Sequence, residues 1–196
     1  IEDSTTRDVT SKSAALAFFG AQATTFARRL AGDQLDSVAP WGHVRLNLMG
    51  AEVILAEARE PSGTGYHLLL SDSSHLNSLL GFLMELGQDL GIQSIGIAAY
   101  DMLRIESGLP EFGREMDERY NPLEIGLGSF ISFSKGCYIG QEVVARLDTY
   151  NKVQRHLMGL LLPEGQLAPP GSKLLAEGQA IGMITSVTLT PRIASP

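Results

Sequence analysis

Only one cysteine, Cys137, occurs in 196 residues. No intramolecular disulfide is possible, which suits a reducing, cytoplasmic setting. Basic residues are outnumbered: 15 Lys and Arg stand against 22 Asp and Glu, for a formal net charge of −7 and a pI near 5.1. A basic nucleic-acid footprint is absent, so direct DNA binding is not expected. The one adjacent basic pair, Arg28-Arg29, reads as the solvated face of a helix. No apolar run is long enough to cross a bilayer, no signal peptide is evident, and no membrane association is expected. The four histidines, His43, His67, His75 and His156, show no metal-ligand spacing. There is no dinucleotide-binding glycine pattern after a strand, no phosphate-binding loop and no nucleophile elbow. What remains is a chain of ordinary globular composition, 44% hydrophobic and 19% charged. It starts with isoleucine rather than methionine, and we expect it to begin inside a longer natural chain.

Residues 13–19 read as a buried strand, followed by a helix whose apolar face is Ala23, Phe26, Ala27 and Leu30, stopped at Gly32-Asp33. Alternation of Val44, Leu46 and Leu48 with polar residues predicts a half-buried strand. A turn at 49–52 leads to a strand over 53–58, and a Pro/Ser/Gly loop at 61–65 to a third over 66–70. Ser71-Asp72-Ser73 caps a helix with apolar face Leu76, Leu79, Leu80, Leu83 and Leu90. A further helix runs from about 95 to 107, with a stripe of Ile95, Ala98, Ala99, Met102 and Ile105. The fold class is α+β: an antiparallel sheet with packed helices over residues 1–150. After 150 the composition changes. Short strands at 155–162, 173–176 and 180–187 predict a small, incomplete β-barrel module over 151–196.

Two constellations carry chemistry. Glu106 sits at the edge of the 95–107 helix stripe, near the helix C-terminus, where the dipole disfavours it. Arg104 points elsewhere and pairs with Asp101 at i−3. Glu106 is either a solvated helix-end carboxylate or an acceptor for two parallel N–H groups of an amidine-like ring edge such as a pterin. Cys137 lies just before a helix expected from Gly140 or Gln141 to Leu147, which would bury Val143, Val144 and Leu147 and place Glu142 and Arg146 at i,i+4. Helix N-terminus and nearby Lys135 both favour a thiolate. The alternative is a structural cysteine beside a tight turn.

The segment Lys135-Gly136-Cys137-Tyr138-Ile139-Gly140-Gln141-Glu142, followed by Val143-Val144-Ala145-Arg146, resembles the K-G-C-[FY]-x-G-Q-E signature of the YgfZ family. Residues 103–110 resemble the L-R-x-E-x-G-x-P segment shared by YgfZ and the glycine-cleavage T-protein, and 116–127 resemble T-proteins in particular. Residues 182–186 are similar to the G-x-[VI]-T-S strand of the family's C-terminal barrel. The likeness spans about 10–190. It implies a fold of three subdomains around a folate-sized hole, with tetrahydrofolate as the cofactor and Glu106 on the pterin. It also implies Tyr66, Tyr138 and Arg146 as further folate contacts, with Cys137 and Lys135 as the reactive pair. YgfZ-type proteins support assembly or repair of iron–sulfur enzymes, including one that thiolates tRNA, so iron–sulfur client proteins are the implied partners. T-proteins are aminomethyltransferases that take a methylene group from a lipoyl carrier protein and release ammonia. The cysteine and Gln141 favour YgfZ, since T-proteins usually have an acidic residue and a Lys or Arg there. The T-protein Gly-Tyr-Thr-Gly turn is replaced by Pro61-Ser62-Gly63-Thr64-Gly65, with Tyr66 as a substitute for its tyrosine. The T-protein catalytic aspartate belongs to a segment N-terminal to this sequence. A folate-sensing module without chemistry is the third reading.

Overall fold

A computed structural model describes residues 3–38, 42–61, 63–149, 153–163 and 166–189. Ser62 of the expected loop and the last residues of the expected barrel module, 190–196, lie outside the described residues. Close contacts divide the chain into two compact units, Ile1–Tyr100 and Asp101–Pro196, whereas the composition shifts near 150.

The first unit is a four-stranded antiparallel sheet with helices on one face. In chain order it contains β1 (Ala14–Phe19), α1 (Ala23–Ala31), β2 (His43–Leu48), β3 (Ala51–Glu60), β4 (Gly63–Leu70) and α2 (Leu76–Leu86). The strand order is β1-β4-β3-β2. Alternation along the strands sends Leu46, Val53, Leu55, Tyr66, Leu68 and Leu70 to one side. There they meet Ala23, Phe26, Ala27 and Ala31 of α1 and Leu79 and Leu83 of α2. Small residues on α1 let the helix lie close to the sheet. Leu80, assigned to the apolar face of α2, is instead 39% exposed. Arg28 and Arg29 are exposed and pair with Asp36 and Asp89. The β2–β3 hairpin turns on Met49 and Gly50 alone, both with positive φ, so β3 begins at Ala51, earlier than expected. β4 likewise begins at Gly63. The glycine-rich 63–65 stretch looks like a loop in sequence but pairs with 58–60 of β3.

α3 (Ile97–Glu106) follows, and its sequence stripe does not hold. Ile95 is 47% exposed, Ala98 and Ala99 are exposed, and the buried side chain of the helix is Arg104, at 4%. The second unit continues with α4 (Gln141–Thr149) and the hairpin β5 (Lys173–Ala176) and β6 (Gln179–Met183). α4 forms where expected, but Val143 is 60% exposed and no residue of the helix is fully buried. β6 is shorter than the expected 180–187, and Ile184 continues only as backbone bonds to Gly171 and Ser172. Residues 155–162 pair with no other strand among the described residues. Leu157 N–H donates to the Glu124 carbonyl instead. A barrel is therefore not part of the described structure, and the α+β sheet with packed helices is. A short apolar run becomes a strand only when a partner edge is present to take the backbone bonds.

Candidate functional site

α3 is organised by its arginine. The Arg104 guanidinium donates through Nε to Asp101 Oδ1 (2.6 Å), through Nη1 to Glu115 Oε2 (3.3 Å) and the Leu109 carbonyl (3.2 Å), and through Nη2 to Ser186 Oγ (3.2 Å). Glu111 Oε2 lies 3.0 Å from Nη2. The Ser186 hydroxyl donates to Glu115 Oε1 at 2.6 Å, and the Glu111 amide donates to Glu115 Oε2. Arg114 bridges Asp101 and Glu111 from the exposed side. Burial pushes the Asp101 and Glu115 carboxyls up, but bonds from Arg104 and Arg114 on the one, and from Ser186, the Glu111 amide, Thr185 and Arg104 on the other, outweigh it. Both therefore sit below the usual carboxylate range. The Arg104–Asp101 pair was legible from spacing. The rest of the cluster was not, because Glu111 and Glu115 come from a loop and Ser186 from the segment after β6. Arg104 and Ser186 lie in the same L-R-x-E and T-S segments that carry the family resemblance.

Glu106 is the last residue of α3. It is half-buried, its Oε2 is shielded from solvent, and it keeps an interaction with the rest of the chain. A carboxylate already drawn out of water at a helix end suits the acceptance of paired N–H groups from a flat heterocycle. Tyr66 is placed differently. It is 4% exposed, its ring stacks on Phe18 at 5.4 Å between centroids, and its hydroxyl faces Thr24 Oγ1 at 3.4 Å. It belongs to the core of the first unit.

The cysteine segment is an exposed loop leading into α4. Gly140, at φ +91°, turns the chain, and its carbonyl accepts the first helical bonds from the Val143 and Val144 amides. The Gln141 side chain reaches back to the Tyr138 amide at 3.3 Å. Cys137 is a free, exposed thiol. The Lys135 ammonium lies 4.5 Å from the Tyr138 ring centroid, a cation–π contact that brings two of the expected site residues together. Arg146 is exposed on α4 and forms no ion pair with Glu142 among those of the described residues.

Beside these groups the second unit has an open cleft of about 630 Å³, lined by Asp101, Arg114, Arg119, Gly171, Ile184 and Thr185 among others. Both arginines in it are already paired with carboxylates, Arg119 with Asp117. Among the described residues no trio of His, Cys, Asp or Glu is arranged to hold a metal, and no helix is long and apolar enough to cross a membrane.

The sequence has relatives throughout its length. An aminomethyltransferase of Halothermothrix orenii is 30% identical over 181 residues, covering 92% of this chain and 50% of that protein. An aminomethyltransferase of a Synechococcus species is 32% identical over 182 residues, covering 92% and 49%. One from Caldanaerobacter subterraneus is 28% identical over 187 residues, covering 95% and 50%. The chain thus spans about half the length of the curated relatives it matches. The GCVT N-terminal domain model matches residues 1–135. On that match the chain belongs to the GCVT family of aminomethyltransferase-like, folate-binding proteins.

Proposed function

We propose that this chain is the folate-holding part of a YgfZ-type protein, which binds tetrahydrofolate and supports assembly or repair of iron–sulfur enzymes and the tRNA modification that depends on them. The observation that carries the reading is the free, exposed thiol of Cys137, on a loop fixed by Gly140 and Gln141 rather than packed in a core. A purely structural cysteine would be covered. Lys135, parked on Tyr138, puts a positive charge on the same loop. Glu106 would accept the pterin N–H groups, its shielded Oε2 needing little further desolvation. Tetrahydrofolate, when bound, supplies an amine that accepts or carries one-carbon units. Tyr138 and Arg146 remain its further candidate contacts, while the Tyr66 ring is already taken by Phe18. Iron–sulfur proteins in the cytoplasm would be the clients.

A second reading, a transferase of the glycine cleavage system, is favoured by the names of the relatives, which are aminomethyltransferases. Its partner would be the lipoyl carrier protein. Two measurements on the full-length protein separate the readings. Titration calorimetry should show tetrahydrofolate binding that Glu106→Gln weakens by about 1.5–3 kcal/mol, the worth of a hydrogen bond to a charged group. Unchanged affinity removes Glu106 from the site. Cys137→Ser should leave that affinity intact and abolish support of an iron–sulfur client. Sustained ammonia release from an aminomethyl-lipoyl carrier, unaffected by Cys137→Ser, overturns the first reading in favour of the second.

A further inference from the structure

Among the described residues, the face of the sheet turned away from α1 and α2 carries one buried charge. Glu60 ends β3 and is 5% exposed. Alternation along β3 puts it on the opposite side from Val53 and Leu55. Its side chain folds across β4 at Gly65, where an added Cβ would lie 2.4 Å from Glu60 Cγ and 2.7 Å from Glu60 Cβ. The glycine at 65 thus makes the space in which this carboxylate lies. Both oxygens are used. Oε1 is 2.6 Å from His67 Nε2 on β4, and Oε2 accepts from the Tyr100 hydroxyl of α3 at 3.2 Å. The Tyr100 ring also meets Phe19 of β1 edge-on, at 5.9 Å between centroids.

The surroundings single out these contacts. Ile97 is 80% exposed, and Ala98 and Ala99 are exposed, so apolar packing does little for the first turn of α3. His67 is about half-exposed and exchanges protons with bulk water, while the carboxylate it touches is dry. Among the described residues the titratable group in contact with His67 is Glu60 of β3, which the Tyr100 hydroxyl of α3 bonds from its other oxygen. The register partners of His67 on β1 and β3 are Ala17 and Ala56, which do not titrate. The next ionisable side chain across the sheet is His43, paired in register with Ala56.

We infer that Glu60, His67 and Tyr100 form a pH-sensitive clasp that pins the first turn of α3 to the open face of the sheet, tight while His67 is charged and slack once it is neutral. The contact with Glu60 raises the His67 pKa above its ordinary 6.5, against a smaller opposing effect of burial. A raised value means that the clasp's contribution is full below about 6.5 and is lost as the pH climbs through the folded-state value. The neutral ring can still donate through Nε2, so the bond survives but loses its charge. Glu60 is then held by two neutral donors, its grip between β4 and α3 weakens, and the turn loosens. The clasp does not depend on the folate reading.

Amide hydrogen exchange tests it. The Ala99 and Tyr100 amides both donate to the Gly96 carbonyl and report on this turn. After correction for intrinsic exchange, their protection should fall about fivefold between about pH 6 and about pH 8.5, the gain a hydrogen bond takes from a charged partner. Leu55 and Leu68 amides in the core should hold theirs. In His67→Gln, which keeps a donor without the charge, protection should be low and flat across the same range. Tyr100→Phe should be low at both pH values. A flat wild-type profile, the same fall in His67→Gln, or wild-type protection in Tyr100→Phe would each overturn the clasp.

Discussion

At the scale of single residues, burial and charge do not follow the hydrophobic pattern. Arg104 stands between two partly buried apolar residues of α3 and is buried more deeply than either. It tolerates this because Asp101, Glu111, Glu115, Ser186 and the Leu109 carbonyl surround its donors. Removing it leaves Glu115 dry and short of positive charge. Arg104→Ala should destabilise the second unit by about 3–5 kcal/mol, the cost of stripping one partner from a buried pair. Arg104→Lys should recover little of that, since a point charge cannot meet acceptors on several sides at once. Urea denaturation followed through amides of the second unit reads both. The guanidinium was partly legible in sequence, through Asp101 three residues earlier. Glu115 and Ser186 were not, because they reach Arg104 across 11 and 82 positions.

At the scale of elements, propensity placed most helices and strands, and packing decided what they do. α1, α2 and the sheet strands form where the periodicity puts them, with β3 and β4 starting earlier, because one face of each is buried. α4 also forms where expected, yet none of its residues is fully buried. Its stability therefore rests on its N-terminal geometry: the Gly140 carbonyl taking the first two amides and Gln141 bonding back to Tyr138. Gly140→Ala places a Cβ at φ +91° and should cost about 1–2 kcal/mol. That is enough to fray a helix with so little packing behind it. Protection of the Val143 and Val144 amides should vanish, while that of Leu55 and Leu68 stays. The stretch 155–162 fails as a strand for the complementary reason: it is largely apolar, but no described edge receives it.

At the scale of the molecule, the two units are built on different interactions. The first buries a continuous apolar core between sheet and helices. In the second, the buried groups among the described residues are Arg104 and Glu115, with Ile125 and Ile184 as the apolar ones. Acid should distinguish them. Burial raises Asp101, Glu115 and Glu124, but bonds from Arg104, Ser186, the Asn121 amide and Arg155 more than offset it, so all three titrate below their ordinary 3.8 or 4.5. Lowered carboxyls contribute stability above those ordinary values, and it drains away as pH falls through the folded-state ones. Amides of Leu109, Glu111 and Ile184 should therefore lose protection before Leu55 and Leu68 as the pH is taken below about 4. Simultaneous loss in both units would count against the carboxylate network as the weak point.

The sequence by itself determined the family and most elements of the sheet domain. Helical and strand periods, turn residues and an unusual eight-residue motif are local properties, written in consecutive positions. Tertiary structure alone decided which side chains are dry. It sent Tyr66 into the core against Phe18, folded Glu60 over Gly65 to His67 and Tyr100, and closed a ring of carboxylates around Arg104. Each of those outcomes depends on partners far apart in the chain, and a polar group's burial is set by the partners that reach it rather than by its neighbours in sequence.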